Sequence, residues 1–516
     1  MFLSIQDNGN DAVILLYNSD RMCYIVRKKY EGKRKMNRGQ TKGAKLRERL
    51  IGDKAFYAEV VAVVVPIIIQ NTVSNVVSLL DNVMVGRVGT LQMSAVAIVN
   101  QLLFVFNLCI FGGLAGAGIF ATQYAGAEDD RGVRDCFRIK WMIALAMFVC
   151  ALGVFLGFPK KLIGMYLAEK TASADAAATL TYSLDYLYVM LWGLLPFAVS
   201  QVYASTLREV GETRLPMFAS VVAILINLVF NYFLIFGKCG FPKLGVTGAA
   251  IATVLSRYVE TTIIIVYTHA KSSRFPFILG AYRKLCVPMP LLKNGFVRGM
   301  PLLVNEFLWS LGMAVLLQCY SVRGLDVVAA SNIASTVSNL FKVVFLSMGN
   351  AVAIMVGQAL GADDVERAKN CTWRLMVLAV GSNLIMGTML ALLAPVIPEI
   401  YNTEPHVRAI ATKLLYVVAV FMPAYSFSHC CYFTLRSGGR TMITFFFDSV
   451  FTWGVNVSVA WVLAYKTNMD IVPLYFCVQA LEMIKVFIGF ILVKKGVWIH
   501  NIVTPVAKEE KAELSA

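Results

Sequence analysis

Twelve apolar stretches decide what this chain can become. They run approximately 56–85, 94–124, 137–158, 179–207, 217–237, 246–268, 300–322, 331–358, 372–396, 408–435, 443–465 and 472–493. Each has about the length an α-helix needs to cross a bilayer's hydrocarbon core, roughly 20 residues. Within lipid every backbone amide must find its partner inside the protein, which leaves helices or closed barrels. The two-residue alternation of a membrane barrel is absent, so the spans are expected to be helices. Composition agrees: 15% of residues are charged, against about 25% in a typical soluble domain. An all-α polytopic membrane protein with twelve transmembrane helices is expected.

A net charge of +16 would point to nucleic acid in a soluble protein. Here Lys and Arg collect in alternate loops, the pattern of the cytoplasmic face, and no nucleic-acid partner is expected. Arg131, Arg134, Arg138, Lys140, Arg208, Arg214, Arg436 and Arg440 fall on the same side as the basic linker 271–299. That side also receives both tails, 1–54 and 496–516, so both termini are expected in the cytoplasm of a cell-membrane protein. The basic segment 1–54 reads as a disordered tail; an upstream start ahead of Met22 or Met36, or an arm for anionic lipid, are the alternatives. The 11 cysteines show neither zinc-ligand nor redox spacing, and the four histidines are scattered, so no metal centre is expected. A phosphate-binding Gly-x-x-x-x-Gly-Lys-Ser/Thr loop is absent, so no ATP hydrolysis by this chain, no enzyme activity and no cofactor are expected.

The chain repeats itself. Gln123-Tyr-Ala-Gly126-Ala127-Glu128-Asp129 returns as Gln358-Ala-Leu-Gly361-Ala362-Asp363-Asp364, a shift of 235 that also maps Pro66 onto Pro301. Thr206-Leu-Arg208-Glu-Val-Gly211 returns as Thr434-Leu-Arg436-Ser-Gly-Gly439 at a shift of 228. Two six-helix halves, 55–270 and 300–495, follow, as parallel repeats that bind between them and rock about the site.

At this level of detail the chain resembles the multidrug and toxic compound extrusion (MATE) transporters, over roughly residues 55–495. The resemblance rests on Pro66 with Asp81-Asn-Val-Met-Val-Gly86, on the twin Gln-x-x-Gly-Ala motifs, and on Asn227-Leu-Val-Phe-Asn231. It rests also on Pro301-x-x-x-Asn305-Glu306-x-x-Trp309 and Arg436-Ser-Gly-Gly439. It implies two pseudo-symmetric six-helix bundles forming a V around a central cavity. It also implies a secondary-active efflux transporter, acting as a monomer, that exports cationic or amphipathic small molecules by antiport with H+ or Na+. The chain departs from the proton-coupled branch at Asn231, where a second carboxylate would stand and where an amide cannot release a proton. A lipid-linked oligosaccharide flippase of the same wider superfamily is the alternative; it would need more cavity cations than Lys342, Arg257 and Lys485. A membrane-embedded enzyme or receptor lacks any Ser/His/Asp cluster to support it.

Asp81 and Glu306 are the expected ion-coupling acids. A charged group at bilayer centre costs roughly 3 kcal/mol on insertion scales, so such groups face wet cavities and carry ions or cationic ligands. Asn71 and Asn75 share one helical face, as do Asn227 and Asn231; either pair can line the cavity beside Asp81 or bond between helices. Asn305 adjoins Glu306, and Trp309, one turn on, is placed to stack on a flat cation or to anchor at the interface. Lys342, mid-span, is expected to pair with Glu306 or Asp448, or to reach a wet cavity. Arg257 with Glu260, and Glu482 with Lys485, read as ion pairs within single helices. Asp448 reads as a structural or helix-end acid.

Overall fold

The computed structural model describes residues 50–166, 173–283, 287–401 and 403–504. Most of the expected tails, Lys284 of the linker and the alternatives for the amino terminus lie outside the described residues. Among the described residues, eleven helices are long and apolar enough to cross a membrane, and a bent pair makes the twelfth span. That pair, Asp175–Leu191 and Leu194–Glu209, is the fourth span and turns by 47°. Its cause is local. Pro196 has no N–H to donate one turn back to the Trp192 carbonyl, and beside the break the Gly193 carbonyl accepts from both the Phe197 amide and Arg257 Nη1, each at 3.2 Å. Arg257 therefore ties its helix to the fourth span instead of pairing with Glu260, as the sequence suggested; no such ion pair exists among the described residues.

The repeat is visible in backbone detail. Glu128 and Asp363, at equivalent positions, both adopt left-handed backbone with φ of 58° and 57°. Such a conformation is unfavourable for residues other than glycine, and Asp or Asn tolerates it best. Each precedes an acid that caps the next span. Asp129 accepts from the Arg131 and Gly132 amides at 3.1 and 3.0 Å, and Asp364 accepts from Arg367 at 2.9 Å.

Core packing crosses the expected division into 55–270 and 300–495. The first span runs Lys54–Gly86 with Pro66 inside it, and the seventh Met289–Ser321 with Pro301 inside it. Phe56, Val60, Val64 and Ile67 of the first span are buried in the core of the second half. Leu291 and Leu302 of the seventh span are buried in the core of the first. Ile67 and Leu302 are related by the 235 shift, so the exchange is reciprocal.

The second and eighth spans, Thr90–Gly126 and Leu325–Gly361, meet at one end of the molecule. A Cβ on Gly126 would lie 2.0 Å from the Gln358 carbonyl oxygen, and one on Gly361 would lie 1.9 Å from that of Gln123. Only glycine permits this crossing. Two symmetric clasps fasten it: Gln358 Nε2 donates to the Glu209 carbonyl at 2.8 Å, and Gln123 Nε2 to the Ser437 carbonyl at 2.9 Å. The chain after the twelfth span adds a strap here. Trp498 is buried in the second half, Ile502 in the first, and the Ile502 amide donates to Gln123 Oε1 at 2.8 Å.

Candidate functional site

Asp81 stands in the first span about a turn and a half before its end, and it is half-buried. The fifth span, Arg214–Phe236, presents Asn227 and Asn231 to it from one face. Asn231 Nδ2 donates to Asp81 Oδ1 at 2.6 Å. Asn227, turned so that its amide nitrogen faces the carboxylate, donates to Oδ1 and Oδ2 at 3.2 and 3.1 Å, while its oxygen accepts from Thr253. Both asparagines are buried, so these donors face Asp81 and not bulk water. Asn71 and Asn75 make no side-chain hydrogen bond to Asp81 among the described residues. The first-span amide that reaches across is Gln70, which donates to Ser220 Oγ at 2.7 Å; Ser220 in turn donates to Glu260.

The second half builds a different centre. In the eleventh span, Thr441–Lys466, the segments Phe446–Val450 and Thr452–Val457 are π-helical. Such widened turns re-aim side chains and recur at functional sites. Here Asp448 receives Lys485 Nζ at 2.6 Å and Asn305 Nδ2 at 3.0 Å. Lys485 thus pairs with Asp448 across helices, not with Glu482, and Lys342 has no ion-pair partner among the described residues. The expected pairing of Lys342 with Asp448 is excluded by that occupant. Asn305 is 1% exposed and fully engaged: it also donates to the Tyr432 hydroxyl at 3.3 Å and accepts from Ser449 at 2.7 Å. It is a buried joint between helices and not a wall of a cavity. Asp448 had read as a structural or helix-end acid; its pairing with Lys485 and Asn305 was not foreseen, because a π-turn changes which face a residue occupies.

Glu306 is half-buried on the seventh span, with its Cγ 3.3 Å from where a Cβ on Gly112 would stand. Trp309, one turn on, is 38% exposed. Neither Asp81 nor Glu306 forms an ion pair among the described residues. Among these residues no group of three or more His, Cys, Asp or Glu side chains is placed to hold a metal.

Between the halves lies a cleft lined by the second, fourth, eighth and tenth spans. The residues expected to face a cavity do not line it. Instead its polar lining includes Gln201, Arg208, Glu209, Asn350 and Arg436. Arg208 and Arg436 had counted as inner-loop charges; their equivalence under the 228 shift was the available signal that they meet across the repeat axis. Lys140, also counted as a loop charge, is fully buried, pairs with Glu209 and donates to Ser205 and Thr206 at 3.1 Å.

Comparison with known proteins matches residues 66–233 and 301–462 to the MatE family. A relative described as probable multidrug resistance protein YoeA of Bacillus subtilis is 26% identical over 421 residues, covering 80% of this chain and 88% of that protein. Probable multidrug resistance protein NorM of Thermotoga maritima is 24% identical over 416 residues, 78% of this chain and 85% of its own length. A solved outward-facing MATE transporter superposes with a TM-score of 0.76 at 20% identity, over 91% of this chain and 100% of that one. A Pyrococcus furiosus transporter whose binding pocket is described as reversed in polarity superposes equally, at 0.76 and 20% identity, over 89% of this chain and 98% of its own.

Proposed function

This chain belongs to the MatE family, and we propose that it exports cationic or amphipathic small molecules by antiport with H+ or Na+. The observation that carries this reading is Asp81. It is a carboxylate on a membrane-crossing helix, held by two buried amides and no fixed cation among the described residues. A buried carboxylate needs a positive partner or a proton, and here that partner is mobile. A proton loads it directly. Sodium takes it with the oxygens of Asn227 and Asn231, once those amides turn over. Glu306 has the same lack of a fixed cation in the second half, and the two acids divide the coupling.

The clasp at Gly126 and Gly361 supplies the moving part. With the basic loops in the cytoplasm, the closed end is the cytoplasmic one. Loading of Asp81 changes what the first span, hinged at Pro66, must satisfy, and so biases the clasp. The site is a multi-pass cell membrane with the bilayer as surround, and one chain carries the whole cycle. The test is purified protein in liposomes with a fluorescent organic cation, under an imposed pH gradient and then a sodium gradient. Transport driven by either gradient, and lost in Asp81→Asn and Glu306→Gln, is expected. Equilibration of the dye without response to either gradient would refute antiport.

A further inference from the structure

We propose that the floor of the central cleft is an anion subsite, in which Arg208 and Arg436 receive the carboxylate of a flat amphipathic substrate. The proposal rests on the export reading and names a substrate class for the same cleft: acids and zwitterions as well as simple cations. Arg208 ends the fourth span and Arg436 lies in the last turn of the tenth. The repeat makes them equivalents, so each half contributes one guanidinium to one floor.

Three features separate this pair from arginines that merely serve helix ends. The first is charge. Glu209, the acid of the lining, is neutralised by the buried Lys140. Arg208 and Arg436 form no ion pair among the described residues and line the cleft, where the acid among the lining residues is already paired. The second is an orphan donor: Arg436 Nη1 is buried without a hydrogen-bond partner. A buried unsatisfied donor is costly, and a charged one more so, which favours an acceptor arriving there. The third is orientation. The Arg436 guanidinium lies over the rings of Phe111 and Phe433 at 5.6 and 5.2 Å. Stacking fixes the plane of the fork, and a fixed fork receives a carboxylate on two parallel bonds. Arg208 is fixed by its Nε bond to the Ala204 carbonyl at 3.1 Å and lines the cleft. Above the floor, Phe111, Leu114, Ile119 and Ile354 offer an apolar wall for the body of the ligand. Glu306 and Glu209 are the acids within electrostatic reach of Arg436, and Glu209 and Glu260 those within reach of Arg208; Glu209 already has its lysine.

The test uses the full chain and two matched dyes: a rhodamine with a free carboxylate and its methyl ester. Binding is read by fluorescence anisotropy in detergent, and export is read separately in liposomes. The parent should prefer the acid by about tenfold, the scale of a charge-assisted bidentate contact. Arg436→Gln and Arg208→Gln should each cut that preference about tenfold, and Arg436→Lys, which keeps charge but not the fork, should cut it less. Because the readout is a ratio, residual ester binding also reports that each variant is folded. Equal affinity for the two dyes in the parent would overturn the subsite, as would a preference that survives both Gln substitutions. Export of the ester with no preference for the acid refutes the subsite and leaves export standing. Arginine-dependent binding of the acid with gradient-independent flux of both dyes upholds the subsite and refutes antiport.

Discussion

Asp81 and Asp448 are both carboxylates on membrane-crossing helices, and their surroundings are opposite. Asp81 meets two asparagines and no cation among the described residues. Asp448 meets an asparagine and a lysine that holds it at 2.6 Å. A fixed counter-ion makes a buried acid permanently satisfied, so that nothing need bind or leave. Neutral amides stabilise the carboxylate without cancelling its charge, which leaves the position open to a proton or a sodium ion. The chain thus holds one carboxylate under a fixed tether and has left the other loadable.

The largest expected effect is at the loadable acid. Asp81→Asn should reduce gradient-driven transport at least about a hundredfold, since an amide can neither take a proton nor bind sodium with full charge. Transport rates in liposomes check it, with dye binding in detergent as the control for folding. Next is the tether. Lys485→Met strands Asp448 and should destabilise the protein by about 3–5 kcal/mol, the usual result of removing one partner of a buried pair. Adding Asp448→Asn should recover most of that loss, and thermal unfolding of the single and double variants measures both. Loss without recovery would break the description of Asp448 as a structural acid. Asn231→Ala removes the 2.6 Å donor from Asp81 and should cost about 2 kcal/mol in the state that carries the bare carboxylate. Ion affinity, titrated by transport, reads it. The smallest effect is at the clasp shared by both halves. Gln358→Ala removes one bond to the Glu209 carbonyl, about 1 kcal/mol, and should shift the closed-to-open ratio about fivefold in spin-label distances across the cytoplasmic end.

The apolar runs made the twelve spans legible, and the 235 shift foretold the equivalence of Gly126 with Gly361 before any contact was known. What composition could not carry was direction. The fourth span read as one run over 179–207, yet it breaks at Gly193 because hydropathy does not register a missing amide hydrogen at Pro196. Asp81 with Asn227 and Asn231 was readable because all three lie on regular helices, where spacing fixes the face. The partners of Asp448 were not, because the π-turns around it displace that face. Arg208 and Arg436 were misplaced for a related reason: a charge near a helix end reads as a loop charge, and only the crossing of the two halves turns it inward.

The most direct test sets the two acids side by side in one assay. Proteoliposomes holding the parent, Asp81→Asn, or the double variant Asp448→Asn with Lys485→Met are loaded with a fluorescent organic cation and given the same proton or sodium gradient. Ion entry and dye movement are recorded together. Ion-coupled exchange is expected in the parent and in the double variant, and none in Asp81→Asn. Coupled exchange that persists in Asp81→Asn, or disappears in the double variant while dye binding is retained, would contradict it.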